Sequence, residues 1–473
     1  MSDFSLYKFA IDRNFRQKAA TSSKEYLAAA ESAHPYIEKH KVVTPDGIFW
    51  HDEESVFKPG VVLNDLANYM GSSGVTFYYL GLYKATGKKE YLDLVTASAD
   101  YLDAKWQTQL QIAKDIFEIE GVNDSIYMGI AGIGQVIAAV YTELKRQKDL
   151  EAVKAIAAQI IADGKVTDKG LEWSFDKSML VGGGPVLYLF KAYEVIKNAG
   201  DNYFADKVLE AAINGADAIL AEAIKDPRGG YAWLSTVHPN QTRVPNFEIG
   251  TAGVGYLFAV AYEQTHNEKY LNAAKEATNH LRAIAVKQGD GYLVPWHDNP
   301  NEPVIFYASS CHGPAGTSRL FYQLYKTTGD KQYLNDIVLL YKGMRHINVP
   351  EKQSVGFWNN TSICCGTAGV LQFVINLALV ADELPQDAAN IKKDSSDVAK
   401  ISGNILLGES YVDGERVTWP VAFERVKPEI VTEKINYGAG AAGVGAALTQ
   451  LYLFLENKYS WARLFDDPYP AKQ

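Results

Sequence analysis

The apolar residues of this chain recur in long blocks that share one pattern. The segments GSSGVTFYYLGLY (71–83), GIAGIGQVIAAVY (129–141), GTAGVGYLFAVAY (250–262), GPAGTSRLFYQLY (313–325) and GAAGVGAALTQLY (440–452) each run Gly, two residues, a second Gly, then an apolar stretch reaching Tyr at the first Gly plus 12. GTAGVLQFVINLA (366–378) departs only at its final Ala, and VGGGPVLYLFKAY (181–193) follows the pattern from Gly184 onward. These seven units start 52 to 74 residues apart, which marks a repeat architecture. Each unit predicts a helix that is apolar nearly all round and therefore buried on most sides. A second, amphipathic helix follows, announced by TGKKEYLDL, HNEKYLNAA and TGDKQYLND, where a Gly or Asn turn precedes the helix start.

Buried helices alternating with amphipathic ones predict an inner ring wrapped by an outer ring. The expected fold is all-α: a single α/α toroid of seven helical hairpins spanning residues 61–473, with residues 1–60 packed against it as a helical cap. VTPDGIFWHDEES (43–55) reads as a turn-rich loop, and DPRGGYAWLSTVHPNQTRVPNF (226–247) as a loop cluster over one end of the ring. Glycine at the inner helix starts lets backbones approach closely at the axis, and it aims the free N–H groups and positive dipole ends of those helices at one cavity. The same glycines are also explained by packing alone. GAGAAG (438–443) matches the dinucleotide-binding Gly-rich pattern literally. It belongs to the helical repeat, however, with no preceding strand or βαβ unit to place a pyrophosphate.

Composition narrows the ligand class. The 473 residues are 47% hydrophobic and 22% charged, enough for a sizeable core, and the formal net charge is −10 without a basic stripe. Nucleic acids and anionic membranes are held by clustered Lys and Arg, so neither is an expected partner. A peptide or a small molecule is. The sequence MSDFSLYKFAIDRNFRQ mixes charges into its apolar residues, which predicts neither a secretory signal nor an anchor. No stretch approaches the roughly 18 apolar residues of a membrane span. Together with only three cysteines, this makes the cytoplasm the expected location.

Those cysteines carry the candidate chemistry. With the repeats aligned on Gly-x-x-Gly, Cys311 stands two residues before Gly313 in the fifth unit, and Cys364 two residues before Gly366 in the sixth, with Cys365 beside it. Adjacent inner helices then present three thiols at one end of the cavity. Zinc is the natural guest, since thiolates suit it and three protein ligands leave one position open, as in catalytic sites. Buried cysteines that merely pack are the plain alternative. His312 either replaces one ligand or orients one.

CHGPAG in one repeat and CCGTAG in the next, within seven Gly-x-x-Gly helical units, resemble the lanthionine synthetase C-like family, the lanthipeptide cyclases and their stand-alone relatives. The resemblance runs over nearly the whole chain from about residue 60. It implies seven inner helices wrapped by seven outer ones, and zinc held by Cys311 and Cys364, with Cys365 in the place usually held by His. Two positions depart from the family: Ser310 stands where a Trp is usual, and Ile249 where the acid/base His is usual.

The implied reaction adds a thiol to a dehydroalanine or dehydrobutyrine, forming a thioether within a peptide or with a small thiol such as glutathione. Zinc lowers the thiol's pKa, and a proton donor quenches the enolate. Three thiolates leave the ion at −1, which favours thiol transfer over hydrolysis. With Ile249 unable to act, the proton-transfer candidates are His312, Asp124 (near an acidic position the family uses), Glu248 and His297. Each has a plain counterpart: Asp124 as a helix cap, Glu248 at a helix N-terminus, His297 as a loop histidine. Two other classes compete. One is a zinc-containing α/α-toroid glycosidase, for which Glu248, Asp298 and Glu302 supply acids and two carboxylates about 5 Å apart would be needed. The other is a zinc-stabilised peptide-binding protein without turnover, which predicts a fourth protein ligand closing the site.

Overall fold

The computed structural model describes residues 16–52, 65–117, 119–236, 243–352, 360–414, 416–421 and 431–470. The seven repeats form seven inner helices: Ser72–Thr86, Ile130–Leu144, Gly183–Asn198, Thr251–Thr265, Pro314–Thr328, Thr367–Val380 and Ala441–Leu455. Each packs on the next, and the seventh packs on the first, so the ring closes. Their burial follows from the pattern: in the fourth, every residue from Thr251 to Ala261 is buried.

Six of them run into an outer helix: Lys89–Lys105, Gln147–Asp163, Asn202–Ala221, Glu268–Ile284, Gln332–His346 and Ala388–Gly408. These are amphipathic, as Glu268–Ile284 shows by burying Tyr270, Leu271, Ala274, Ala277, Leu281 and Ile284 on one stripe. The seventh inner helix takes its partner from the other end of the chain. Ser23–Glu31 lies against Ala441–Leu455, with Tyr26 and Ala30 buried, so this pair joins residues far apart in sequence.

Short antiparallel hairpins close the outer helices. Lys41–Thr44 pairs with Gly47–Trp50, overlapping the stretch 43–55 expected to be loop, and Ile224–Lys225 pairs with Tyr231–Ala232. Tryptophans fasten three such hairpins: Trp173 Nε1 donates to the Ile160 carbonyl at 2.7 Å, Trp233 to Ile219 at 2.9 Å and Trp419 to Leu406 at 2.7 Å. Each satisfies a carbonyl in the last turn of an outer helix, one of the groups that has no partner within the helix itself.

The second glycine of each repeat has a definite packing role. A Cβ on Gly316 would stand 1.9 Å from the Ser310 carbonyl oxygen, and one on Gly443 1.8 Å from that of Tyr437. Gly316→Ala is therefore expected to cost about 1–3 kcal/mol through overpacking against backbone, read as a lowered midpoint in denaturant unfolding. An unchanged midpoint would show that the turn before the helix yields freely.

Candidate metal centre

The inner helices begin on a backbone collar. The residue two before the first Gly of each repeat donates its N–H to the carbonyl of the equivalent residue in the next repeat. The bonds run Tyr69 to Tyr127 (3.1 Å), Leu180 to Glu248 (2.9 Å), Glu248 to Cys311 (3.1 Å), Cys311 to Cys364 (3.1 Å), Cys364 to Gly438 (3.1 Å) and Gly438 back to Tyr69 (2.8 Å). The circle opens once, where Tyr127 N–H turns to Ser125 Oγ at 3.1 Å. The third repeat is also the one whose N-cap, Gly182, is helical rather than extended. The collar places equivalent residues side by side round the axis, which brings the cysteines of two repeats together.

Cys311, Cys364 and Cys365 are all buried and unoxidised, and their sulfurs lie within 4.8 Å of one another. Cys365 Sγ is 3.3 Å from both Cys311 Sγ and Cys364 Sγ. Such spacing is slightly tighter than the ~3.8 Å separating two ligands on a tetrahedral zinc with ~2.3 Å bonds. Burial pushes the Cys311 thiol well up, and its bond to Cys311 together with burial does the same to Cys364. For Cys365 the contact with Cys311 favours the thiolate, but Cys364 and burial outweigh it and the thiol again rises. Three crowded thiols that burial and mutual contact keep from ionising are what a divalent cation would relieve, so the donor set fits zinc.

Glu248, the collar residue before Cys311, brings Oε2 to 3.7 Å from Cys364 Sγ. It approaches this one sulfur without joining the three mutually close ligand atoms. Some of its surface stays accessible within the cavity it lines, yet the enclosure desolvates the carboxyl and pushes it up to about 7. The cavity, about 60 Å³, is further bounded by Tyr69, Tyr127, Cys311, Cys364 and Arg319. Two buried polar atoms at its wall, Asn68 Oδ1 and Ser310 Oγ, have no hydrogen-bond partner among the described residues.

The other candidates lie apart from this cavity. His312 follows Cys311 in the chain, with its ring edge-on to Trp296 and Tyr307 at 6.2 and 5.7 Å between centroids. His297 is buried beside Trp296 with Nε2 3.1 Å from Glu302 Oε2. Asp124 accepts from Asn123 Nδ2 at 3.0 Å and lines a separate depression with Glu120, Asp163 and Lys165. Asp298 accepts from Arg228 at 2.8 Å. Sequence reasoning missed Tyr69, Tyr127, Arg319 and Asp466. The first two share the collar register of the cysteines, and Arg319 is a cation in the first half of an inner helix, where the other repeats carry uncharged residues, so both signals were there to read; the stretch around Asp466 carried none.

Fold and site together define an α/α toroid with a thiol cluster on its inner-helix collar. The sequence model for the lanthionine synthetase C-like protein matches residues 63–410, and the chain belongs to that family. Among solved structures, nisin cyclase is similar at 14% identity with a TM-score of 0.55, over 85% of this chain and 94% of that one, a likeness of fold. An inactive variant of the α-1,6-mannanase GH76A of Salegentibacter sp. HEL1_6 matches at 12% identity and TM-score 0.44, over 91% and 99% of the two chains. The unsaturated glucuronyl hydrolase from Streptococcus agalactiae matches at 14% and 0.44, over 78% and 93%. No curated protein matches. Among the described residues no helix is long and apolar enough to cross a membrane.

Proposed function

We propose that this protein is a zinc-dependent thiol-addition enzyme that joins a peptide cysteine or a small thiol to a dehydroamino acid. The observation that carries the reading is the meeting of three buried sulfurs from two repeats, with a carboxyl against one of them. Cys311, Cys364 and Cys365 would hold the ion, whose contribution is to make a bound thiol ionise at neutral pH. Glu248, 3.7 Å from Cys364 Sγ, would take a proton from the incoming thiol and return it to the enolate carbon after the carbon–sulfur bond forms, the role left open by Ile249. The collar holds it rigidly, since its N–H and C=O are both bonded to neighbouring repeats. Tyr69 packs against the sulfurs and keeps water from them.

The glycosidase reading has less support. Asp298 and Glu302 are engaged by Arg228 and His297, which leaves Glu248 as the acid that touches the cluster. A closed structural zinc site is disfavoured because no fourth ligand atom joins the three sulfurs among the described residues. Incubation with glutathione and a dehydroalanine peptide is expected to give thioether faster than the uncatalysed mixture, followed by mass spectrometry. A rate equal to background would sink the proposal.

A further inference from the structure

The stretch after the last inner helix does not run over the surface. Phe465 N–H donates to Gln135 Oε1 of the second inner helix at 3.1 Å, and its ring lies 5.7 Å from that of Tyr188 on the third. Its carbonyl accepts from Tyr256 of the fourth at 2.8 Å. Asp466 is paired with Arg319 of the fifth and accepts from Tyr127 of the collar at 3.0 Å. Arg463 donates to Asn376 of the sixth at 2.9 Å, and Tyr469 stacks on Tyr322 of the fifth at 4.4 Å and 16°. A single segment can touch five inner helices at once only by lying on the axis they surround. Residues 462–464, 466 and 467 line the cavity that Cys311 and Cys364 also line.

From this geometry we infer that residues 461–469 form a releasable plug, which seals the axis of the ring behind the cysteines and controls access to Cys311 and Cys364 from that end. The seat is mixed: Phe465 and Tyr469 pack on the rings of Tyr188 and Tyr322, and polar groups of the inner helices hold the segment as well. Gln135, Tyr256, Arg319 and Asn376 each offer the plug a hydrogen bond or an ion pair, and each can be taken over by water when the plug leaves. The vacated axis would then present water-binding groups beside the rings of Tyr188 and Tyr322. Asp466 is the positioning residue: it occupies both Arg319 and Tyr127 and so fixes part of the wall of the cavity that Glu248 also lines. The inference stands on where the sulfurs lie and holds whether or not they bind zinc.

The test compares iodoacetamide alkylation of Cys311 and Cys364, mapped by mass spectrometry, in the full chain, in the Arg463→Ala variant and in a chain ending at Ser460. Arg463 is partly accessible and touches neither the cysteines nor Glu248. Its loss removes hydrogen bonds made by a charged group, so alkylation should rise about tenfold, with faster hydrogen exchange at residues 461–469 and a still cooperative melt. The shortened chain, if it folds, should react faster still; if it does not fold, Arg463→Ala decides alone. A folded variant whose alkylation stays at the rate of the full chain overturns the inference, and so does faster exchange in the plug without faster alkylation.

Discussion

Replacing Cys365 by alanine is expected to strip the protein of most of its zinc, from about one ion per chain to a small fraction of that after dialysis against a weak chelator. Cys365 is the sulfur that touches both others, at 3.3 Å each, so its loss leaves two thiols and an open side. Removing a group that only orients a ligand typically weakens metal binding by 10–100-fold, and removing a ligand should exceed roughly 100-fold. His312→Ala serves as the contrast: its ring is turned to Trp296 and Tyr307, so zinc should be retained. Metal analysis by mass spectrometry reads both variants. Full zinc in the Cys365 variant would remove this thiol from the ligand set.

Glu248→Gln should produce the second large effect, a fall of about 10²–10⁴-fold in thioether formation, the range for losing a positioned acid/base group. The substitution keeps shape and the collar bonds, which are made by backbone, so zinc content and the melting temperature should stay near those of the parent. Asp124→Asn and His297→Gln provide the comparison, because both side chains lie away from the cavity and should leave turnover within a few-fold. Should His297→Gln abolish turnover while Glu248→Gln does not, proton transfer would have to be reassigned to the aromatic nest around Trp296.

Much of the architecture was legible because the repeat is written in residue types with one structural use. Gly-x-x-Gly followed by an unbroken apolar run leaves no exposed face, so burial inside a ring was readable from the pattern at 250–262 alone. The closing pair was not. Nothing in SKEYLAAAE (23–31) says that it will serve as the seventh outer helix, because that depends on the ring's circumference and not on the segment's own pattern. Two of the three Trp-anchored hairpins were also readable in principle, since the tryptophans of GLEW (170–173) and GYAW (230–233) stand three residues after a turn glycine.

Register along the chain was enough to say that Cys311, Cys364 and Cys365 occupy equivalent edges of neighbouring units, since a repeat carries the same offset from helix start to axis wherever it occurs. Distance across the ring is a different quantity. That Glu248 rather than His297 or Asp124 faces a sulfur, and that residues 461–469 fill the axis, follows from ring closure bringing repeats two to six around a common centre. Local propensity and spacing determine which residues point inward; only the closed circle determines which of them meet.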